Sequence, residues 1–345
     1  MFVSTASVLG ARASNTVRRA STVLVTLLGL LALTFVIGRV MPLDPVLAVV
    51  GPDADSSTYE QVHRAMGLDK PIWTQFGLYL NDLLHGNFGN ALLTGHPVLD
   101  DIRRVFPATI ELATLAILFG VLIGLPLGVC AASNQGRLGD HMARVITLFG
   151  YSTPIFWLGM MGLLVFYAWL GWAGGAGRID LAYDGMVPEV TGLLLVDSAL
   201  ARDWEAFASA LRHIVLPALI LGLNSVAYIS RMTRSFMLEQ LSQEYIITAR
   251  VKGLSRRQVV WGHAFRNILV QLLTVVALAY GSLLEGAVLI ETVFAWPGFG
   301  QYLTSSLMLG DMNAVMGCVL VIGLIFVALN LISDALYKVF DPRTR

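Results

Sequence analysis

Apolar stretches of about twenty residues, separated by polar segments, recur six times along the chain. A helix needs about 20 mostly apolar residues to cross roughly 30 Å of hydrocarbon, because every amide there must be satisfied within the segment. The runs that qualify are Ser21 to Gly38, Thr109 to Ala132, Val145 to Trp172, Ile214 to Met232, Ile268 to Ile290 and Val315 to Leu336. The pattern predicts an all-α membrane protein with about six transmembrane helices. Arg18 and Arg19 precede the first run as they would in a signal peptide, but Val36-Ile37-Gly38-Arg39-Val40 offers no small-x-small cleavage site, so an uncleaved anchor is expected.

Composition sharpens this picture. Only 13% of the 345 residues are charged and 56% are hydrophobic, with a mean hydropathy of +0.71. A soluble domain carries about 25% charged residues, so an ordinary soluble enzyme is excluded. The 23 basic and 23 acidic side chains cancel. No basic excess is left to displace counterions from nucleic acid, and the expected medium is the lipid bilayer. Cys130 and Cys318 lie in apolar runs without CxxC or Cys/His spacing, so neither a disulfide framework nor a metal site is expected.

Lys and Arg set the orientation. With the N-terminus inside, 15 of the 23 fall on the cytoplasmic side, including Arg18, Arg19, Arg137, Arg144 and the cluster from Arg231 to Arg266. Both termini are then cytoplasmic. Two outer segments are long, Met41 to Pro107 and Ala173 to His213. The first holds an amphipathic stretch, Ser57 to Met66, and an aromatic one, Ile72 to Tyr79. The second places Trp204, Phe207 and Leu211 on one helical face. Such segments suit docking of a partner, and equally suit loops that cap the bundle.

The chain has no GxxxxGK[ST], HExxH or Gly-x-Ser-x-Gly, so no catalytic residue is expected. Two carboxylates fall inside the spans. Glu111 lies within a turn or two of the interface, where it can snorkel, and Glu285 lies deeper. A path for polar solute needs hydrogen-bonding walls, for which the candidates are Tyr151, Ser152 and Thr153 beside Pro154, Asn224, Ser225, Tyr280, Ser282 and Glu285. Pro126, Pro154 and Pro217 each remove a backbone donor and are expected to bend their helices.

Between the fourth and fifth spans, Glu244-Tyr245-Ile246-Ile247-Thr248-Ala249-Arg250-Val251-Lys252-Gly253-Leu254-Ser255 predicts a short helix stopped by Gly253, with Tyr245, Ala249 and Lys252 on one face. Lying along the bilayer between two spans, it could push both; a basic linker drawn to anionic lipid is the alternative.

This segment resembles the cytoplasmic EAA loop of ATP-binding-cassette importer permeases, in the form used by the dipeptide, oligopeptide and nickel branch. That branch reads Tyr-Ile-x-Thr-Ala-Arg-x-Lys-Gly-Leu and then His-Ala-x-Arg-Asn, which Tyr245 to Leu254 and His263 to Asn267 match. Further similarity lies in Met66 to Pro71, Gly86-Asn87-Phe88-Gly89, Thr94-Gly95-His96-Pro97-Val98, Pro107 to Leu112, Glu291 to Gly300 and Asp341-Pro342-Arg343, which look like the branch's B-type permease. The resemblance runs from about Leu24 to Arg345.

The resemblance implies a type I ABC importer permease fold in a bacterial inner membrane. Residues 1–105 would form an N-terminal transmembrane helix plus a periplasmic segment, and 106–345 a five-helix core carrying the coupling loop at about 231–266. It implies a second homologous permease subunit, two ABC ATPase subunits that bind ATP and Mg, and a periplasmic solute-binding protein; this chain itself would carry no cofactor. ATPase coupling would fall to Glu244, Tyr245, Thr248, Ala249, Arg250, Lys252, Gly253, Leu254 and Ser255. Family members move dipeptides, longer peptides, nickel chelates, glutathione or opine-like compounds. Since no His/Cys cluster lines the spans, a peptide-like solute is favoured over free metal. The competing class is an autonomous secondary transporter, for which Glu285 alone is a poor coupling site.

Overall fold

The computed structural model describes residues 5–40, 45–51 and 53–340, with side-chain surroundings for 21–38, 46–47, 50–51 and 53–332. The terminal Asp341-Pro342-Arg343 therefore lies outside the described residues. Among the described residues the regular structure is helical, and the β component is one isolated bridge, Asn90 to Pro97.

Among the described residues, five helices are long and apolar enough to cross a bilayer. They are α1 (Thr5–Val40, with its apolar part at Ser21–Gly38), α5 (Val98–Ser133), α9 (Trp204–Leu241), the continuous run of π2 (Gln258–Ala264) into α11 (Phe265–Val293), and α13 (Met312–Phe340). The remaining apolar run is not one straight span. It is α6 (Leu138–Ser152), then α7 (Ile155–Gly162) continuing as the π-helical π1 (Leu163–Trp169), with a 96° bend at the break. Thr153 leaves the helix in an extended conformation, and Pro154 opens the next helix, where its missing N–H costs nothing. Pro126 and Pro217, by contrast, sit inside unbroken helices, so only one of the three expected proline bends is a break. Two spans also extend beyond their apolar runs. Trp204 to His213 belongs to α9 rather than to an outer loop, and α5 begins at Val98 rather than Thr109.

The chain divides into two compact units. The first comprises 1–103 and 305–328, so the early part of α13 joins the N-terminal unit. It contains α1, α2 (Pro45–Val50), α3 (Ser56–Ala65) and α4 (Ile72–Leu84). Phe35 of α1 packs on Phe76 and Tyr79 of α4, with ring centroids 5.2 and 6.2 Å away. Gly86-Asn87-Phe88-Gly89 and Thr94-Gly95-His96-Pro97-Val98 belong to one loop, closed by Ala91 N–H to the His96 carbonyl and Val98 N–H to the Gly89 carbonyl, that reaches Asp311. That fully buried carboxylate accepts from the amides of Leu92 (2.5 Å) and Ala314 (3.1 Å), joining the loop to the start of α13.

The second unit comprises 104–304 and 329–345. Its core is the packing of α5, α9 and α11, through Leu112, Ala116, Ile220, Leu221, Leu283 and Ile290. Gly120, Gly124 and Gly128 form a four-residue repeat on α5. A Cβ on Gly128 would stand 2.5 Å from the Ser230 carbonyl oxygen of α9, so the small residues are what let these backbones approach. The unit also contains α8 (Leu194–Leu200), α10 (Glu244–Val251) and most of α12 (Phe299–Met308).

Candidate functional site

The expected short helix exists as α10, and its boundaries follow from two local devices. At its C-terminus, Gly253 has φ +79°. Its N–H donates to the Arg250 carbonyl (3.0 Å), and the Leu254 N–H to the Ala249 carbonyl (3.3 Å), which together make a Schellman cap. The following turn is closed by a capping box. The Ser255 N–H and hydroxyl both donate to Gln258 Oε1 (2.9 and 2.8 Å), while the Gln258 N–H donates to Ser255 Oγ (3.4 Å).

The buried face of α10 is narrow, consisting of Ile246 and Ala249. They insert among Val129, Ala132, Met237, Val259, Val260 and Ile268, and Leu254 packs against the same cluster. Tyr245 and Lys252 do not share Ala249's buried side but are exposed, with the Tyr245 hydroxyl donating to Gln240 Oε1 (2.8 Å). Glu244, Ile247, Thr248, Arg250, Val251 and Ser255 are also exposed. The element is therefore an apolar foot of two side chains bearing a broad, uncovered face on which Glu244, Arg250 and Lys252 alternate with apolar Ile247 and Val251.

A cavity of about 330 Å³ lies between α6, α9 and α11, lined by Tyr151, Asn224, Ser225, Tyr228, Ser282 and apolar neighbours. Four of the conduit candidates are thus brought together. The Arg231 guanidinium lies 5.2 Å from the Tyr151 ring centre. Ser152, Tyr280 and Glu285 do not line this cavity. Tyr280 instead meets Thr114 at 3.2 Å, and Glu285 is exposed along α11.

Three of the buried carboxylates, Glu111, Glu291 and Asp140, tie helices of the second unit together. Glu111 does not snorkel: Arg178 donates to it at 2.6 Å and the Leu195 amide at 2.7 Å, so it ties α5 to the loop before α8. Glu291 is fully buried and accepts from the Thr109 hydroxyl (2.5 Å) and the Gln301 amide (3.0 Å). Among the described residues no Lys or Arg pairs with it. Asp140 is fully buried and accepts from Arg234 (2.7 and 3.0 Å), Arg144 (2.9 Å) and the Gly136 amide (3.0 Å). Asp140 and Arg234 carried no motif of their own. The available signal was an acidic residue in the first turn of α6 and an Arg one turn beyond the apolar part of α9.

Near α8, Asp197 collects the Thr191 hydroxyl (2.7 Å) and the amides of Thr191 (2.8 Å) and Gly192 (2.9 Å). Burial alone would raise its pKa, but the hydrogen bonds from Thr191, Gly192 and Val190 outweigh burial and hold it below the ordinary carboxylate value.

Residues 124–345 match the family described as "Binding-protein-dependent transport system inner membrane component", and residues 14–113 match "Binding-prot-dependent transport system membrane comp, N-term". The probable D,D-dipeptide transport system permease protein DdpB of Escherichia coli (strain K12) is 43% identical over 91% of this chain and 92% of its own length. The di/tripeptide transport system permease protein DppB of Pseudomonas aeruginosa (strain UCBPP-PA14) is 41% identical over 95% of this chain and 97% of its own. A chain of the MetNI methionine ABC transporter, solved in inward-facing conformations, shares the fold with TM-score 0.50 and 19% identity, covering 67% of this chain and 92% of that one. With the permease fold in place and both family regions matched in order, the chain belongs to the inner-membrane components of binding-protein-dependent transport systems, the membrane subunits of ABC importers.

Proposed function

We propose that this chain, paired with a second homologous permease subunit, carries peptides or peptide-like solutes from periplasm to cytoplasm. Two ATPase subunits, which bind ATP and Mg, drive it, and a periplasmic solute-binding protein delivers the solute. The observation that carries the mechanism is α10: two buried side chains anchor it, and its opposite face, charged and apolar side chains together, is uncovered. The Lys and Arg bias puts that face in the cytoplasm, where an ATPase groove can seat it. When the ATPase pair closes on ATP, the displaced helix moves α9 and π2–α11, which flank it in sequence. Peptide permeases at about 40% identity over nearly the whole chain support the solute class. Tyr151, Asn224, Ser225 and Ser282 supply hydroxyls and an amide along the path, able to bond a moving peptide without holding it tightly. Ser152, Tyr280 and Glu285 lie outside this cavity.

The test is Gly253→Val in the reconstituted importer with its binding protein and radiolabelled alanyl-alanine. A β-branched side chain at φ +79° costs on the order of 1 to 2 kcal/mol and unwinds the cap. Uptake should fall several-fold while membrane insertion survives. Unchanged ATP-driven uptake would remove α10 from the mechanism, and gradient-driven uptake by the lone chain would replace it with a secondary transporter.

A further inference from the structure

The turn joining α5 to α6 is gripped from two sides. From one side, Arg256, just beyond the coupling helix, donates through the same nitrogen to the Ser133 carbonyl and to Asn134 Oδ1, the latter at 3.0 Å. From the other, Asp140 accepts the Gly136 amide at 3.0 Å. Asp140 in turn accepts from Nε and Nη2 of Arg234, at 2.7 and 3.0 Å, and from Arg144 at 2.9 Å. Gly136 has φ +73°, the left-handed conformation that turns the chain and aims its amide at the carboxylate. A continuous set of hydrogen bonds therefore runs from the segment after α10, through the 133–136 turn, to α6 and α9.

Burial and geometry set the strength of this path. Asp140 is fully buried, so its charge needs compensation, and the planar guanidinium of Arg234 meets both of its oxygens. An ion pair of this kind resists shear better than apolar contact, since sliding α6 against α9 would strand a buried charge. Asp140 lies at the start of the half-span that ends at the 96° break, and Tyr151, at the other end of α6, lines the cavity. Motion received beside Arg256 thus has a stiff route to the wall of the conduit that α10 does not touch.

We propose that Asp140 is a positioning residue for transport: with Arg234 and Arg256 it forms a strut that makes α6 follow the coupling segment, so that ATP-driven movement reaches the broken span as well as α9 and α11. This rests on the assignment of α10 as the coupling helix, and the experiment separates the two. Asp140→Asn, Arg256→Ala, Arg234→Lys and Gly253→Val are each reconstituted with the ATPase subunits, the second permease subunit and the binding protein. Alanyl-alanine uptake and ATP hydrolysis are then measured on the same assembled complexes. With a strut, Asp140→Asn and Arg256→Ala keep hydrolysis within about twofold of the parent while uptake per ATP falls at least about tenfold. The double variant should lose little more than either single one, since one broken link disables the path. A role in stability alone would lower assembly and leave uptake per ATP unchanged in the complexes that form, which overturns the strut. If Asp140→Asn fails to assemble, Arg256→Ala and Arg234→Lys decide, and parental coupling in both overturns it. Loss of coupling in Gly253→Val but not in the strut variants would retain the coupling helix and discard the strut. Parental coupling in Gly253→Val would discard the coupling assignment itself.

Discussion

Asp140 and Glu291 are both fully buried carboxylates in the same unit, and they are compensated in opposite ways. Near the Leu241 end of α9, Asp140 gathers two arginines and one amide, supplied by α6, α9 and the preceding turn. Near the Val293 end of α11, Glu291 takes a hydroxyl and a backbone amide, and its neighbourhood is packed so tightly that a Cβ on Gly298 would stand 2.4 Å from its Cδ. Guanidinium side chains reach across elements and make one helix follow another, since parting them would strand a buried charge. Backbone amides act within their own turn, so a carboxylate satisfied by them fixes one local shape. The turn at 294–300 shows this in further detail. Ala295 sits at φ +47°, the Trp296 indole N–H donates to the Ala108 carbonyl (3.0 Å), and the Phe299 amide donates to Thr109 Oγ1 (2.8 Å). One end is built as a linkage between helices, and the other as a rigid corner.

The largest effect expected from this contrast is at Arg234. Arg234→Ala should leave Asp140 buried with Arg144 and one amide, costing about 3 kcal/mol, read as a lower midpoint in dodecyl-sulfate unfolding of the purified chain. Glu291→Gln keeps the shape and one acceptor oxygen and has no lost ion pair to add, so about 1 kcal/mol is expected from the same titration. A glutamine cost equal to or above that of Arg234→Ala would abolish the distinction between the two ends. The smallest effect is local and depends on pH. Asp197 has a depressed pKa in the fold, so its contribution is complete above the ordinary carboxylate value and is lost as pH falls through the lower folded one. The protection factors of the Thr191 and Gly192 amides, taken relative to their intrinsic exchange rates, should fall only in that acid range, and Asp197→Asn should remove that fall.

Much of the chain's organisation follows from local chemistry. The apolar runs specify spans because hydrocarbon leaves a backbone no choice but helix. The end of α10 was legible because glycine at Gly253 is a conformational requirement that a single residue expresses. Cavity residues such as Asn224 and Ser282 could be singled out because polar groups in an apolar helix are costly and therefore informative. Glu285 passed the same test without reaching the cavity, since polarity states that a residue needs an environment, not which one it obtains.

The sequence by itself thus determined the six apolar runs and the helix that faces the ATPase side in the proposed mechanism, because each depends on residues within one turn or one run. Tertiary structure alone decided that Glu111 pairs with Arg178, 67 residues away, and that Asp140 pairs with Arg234, 94 residues away. It likewise decided that Thr109 serves Glu291 across 182 residues and that the third apolar run breaks by 96°. A buried charge must be compensated by whatever neighbour packing brings to it, and that neighbour has no fixed spacing along the chain. The periodicity that predicts a helix carries no record of which other helix will lie against it.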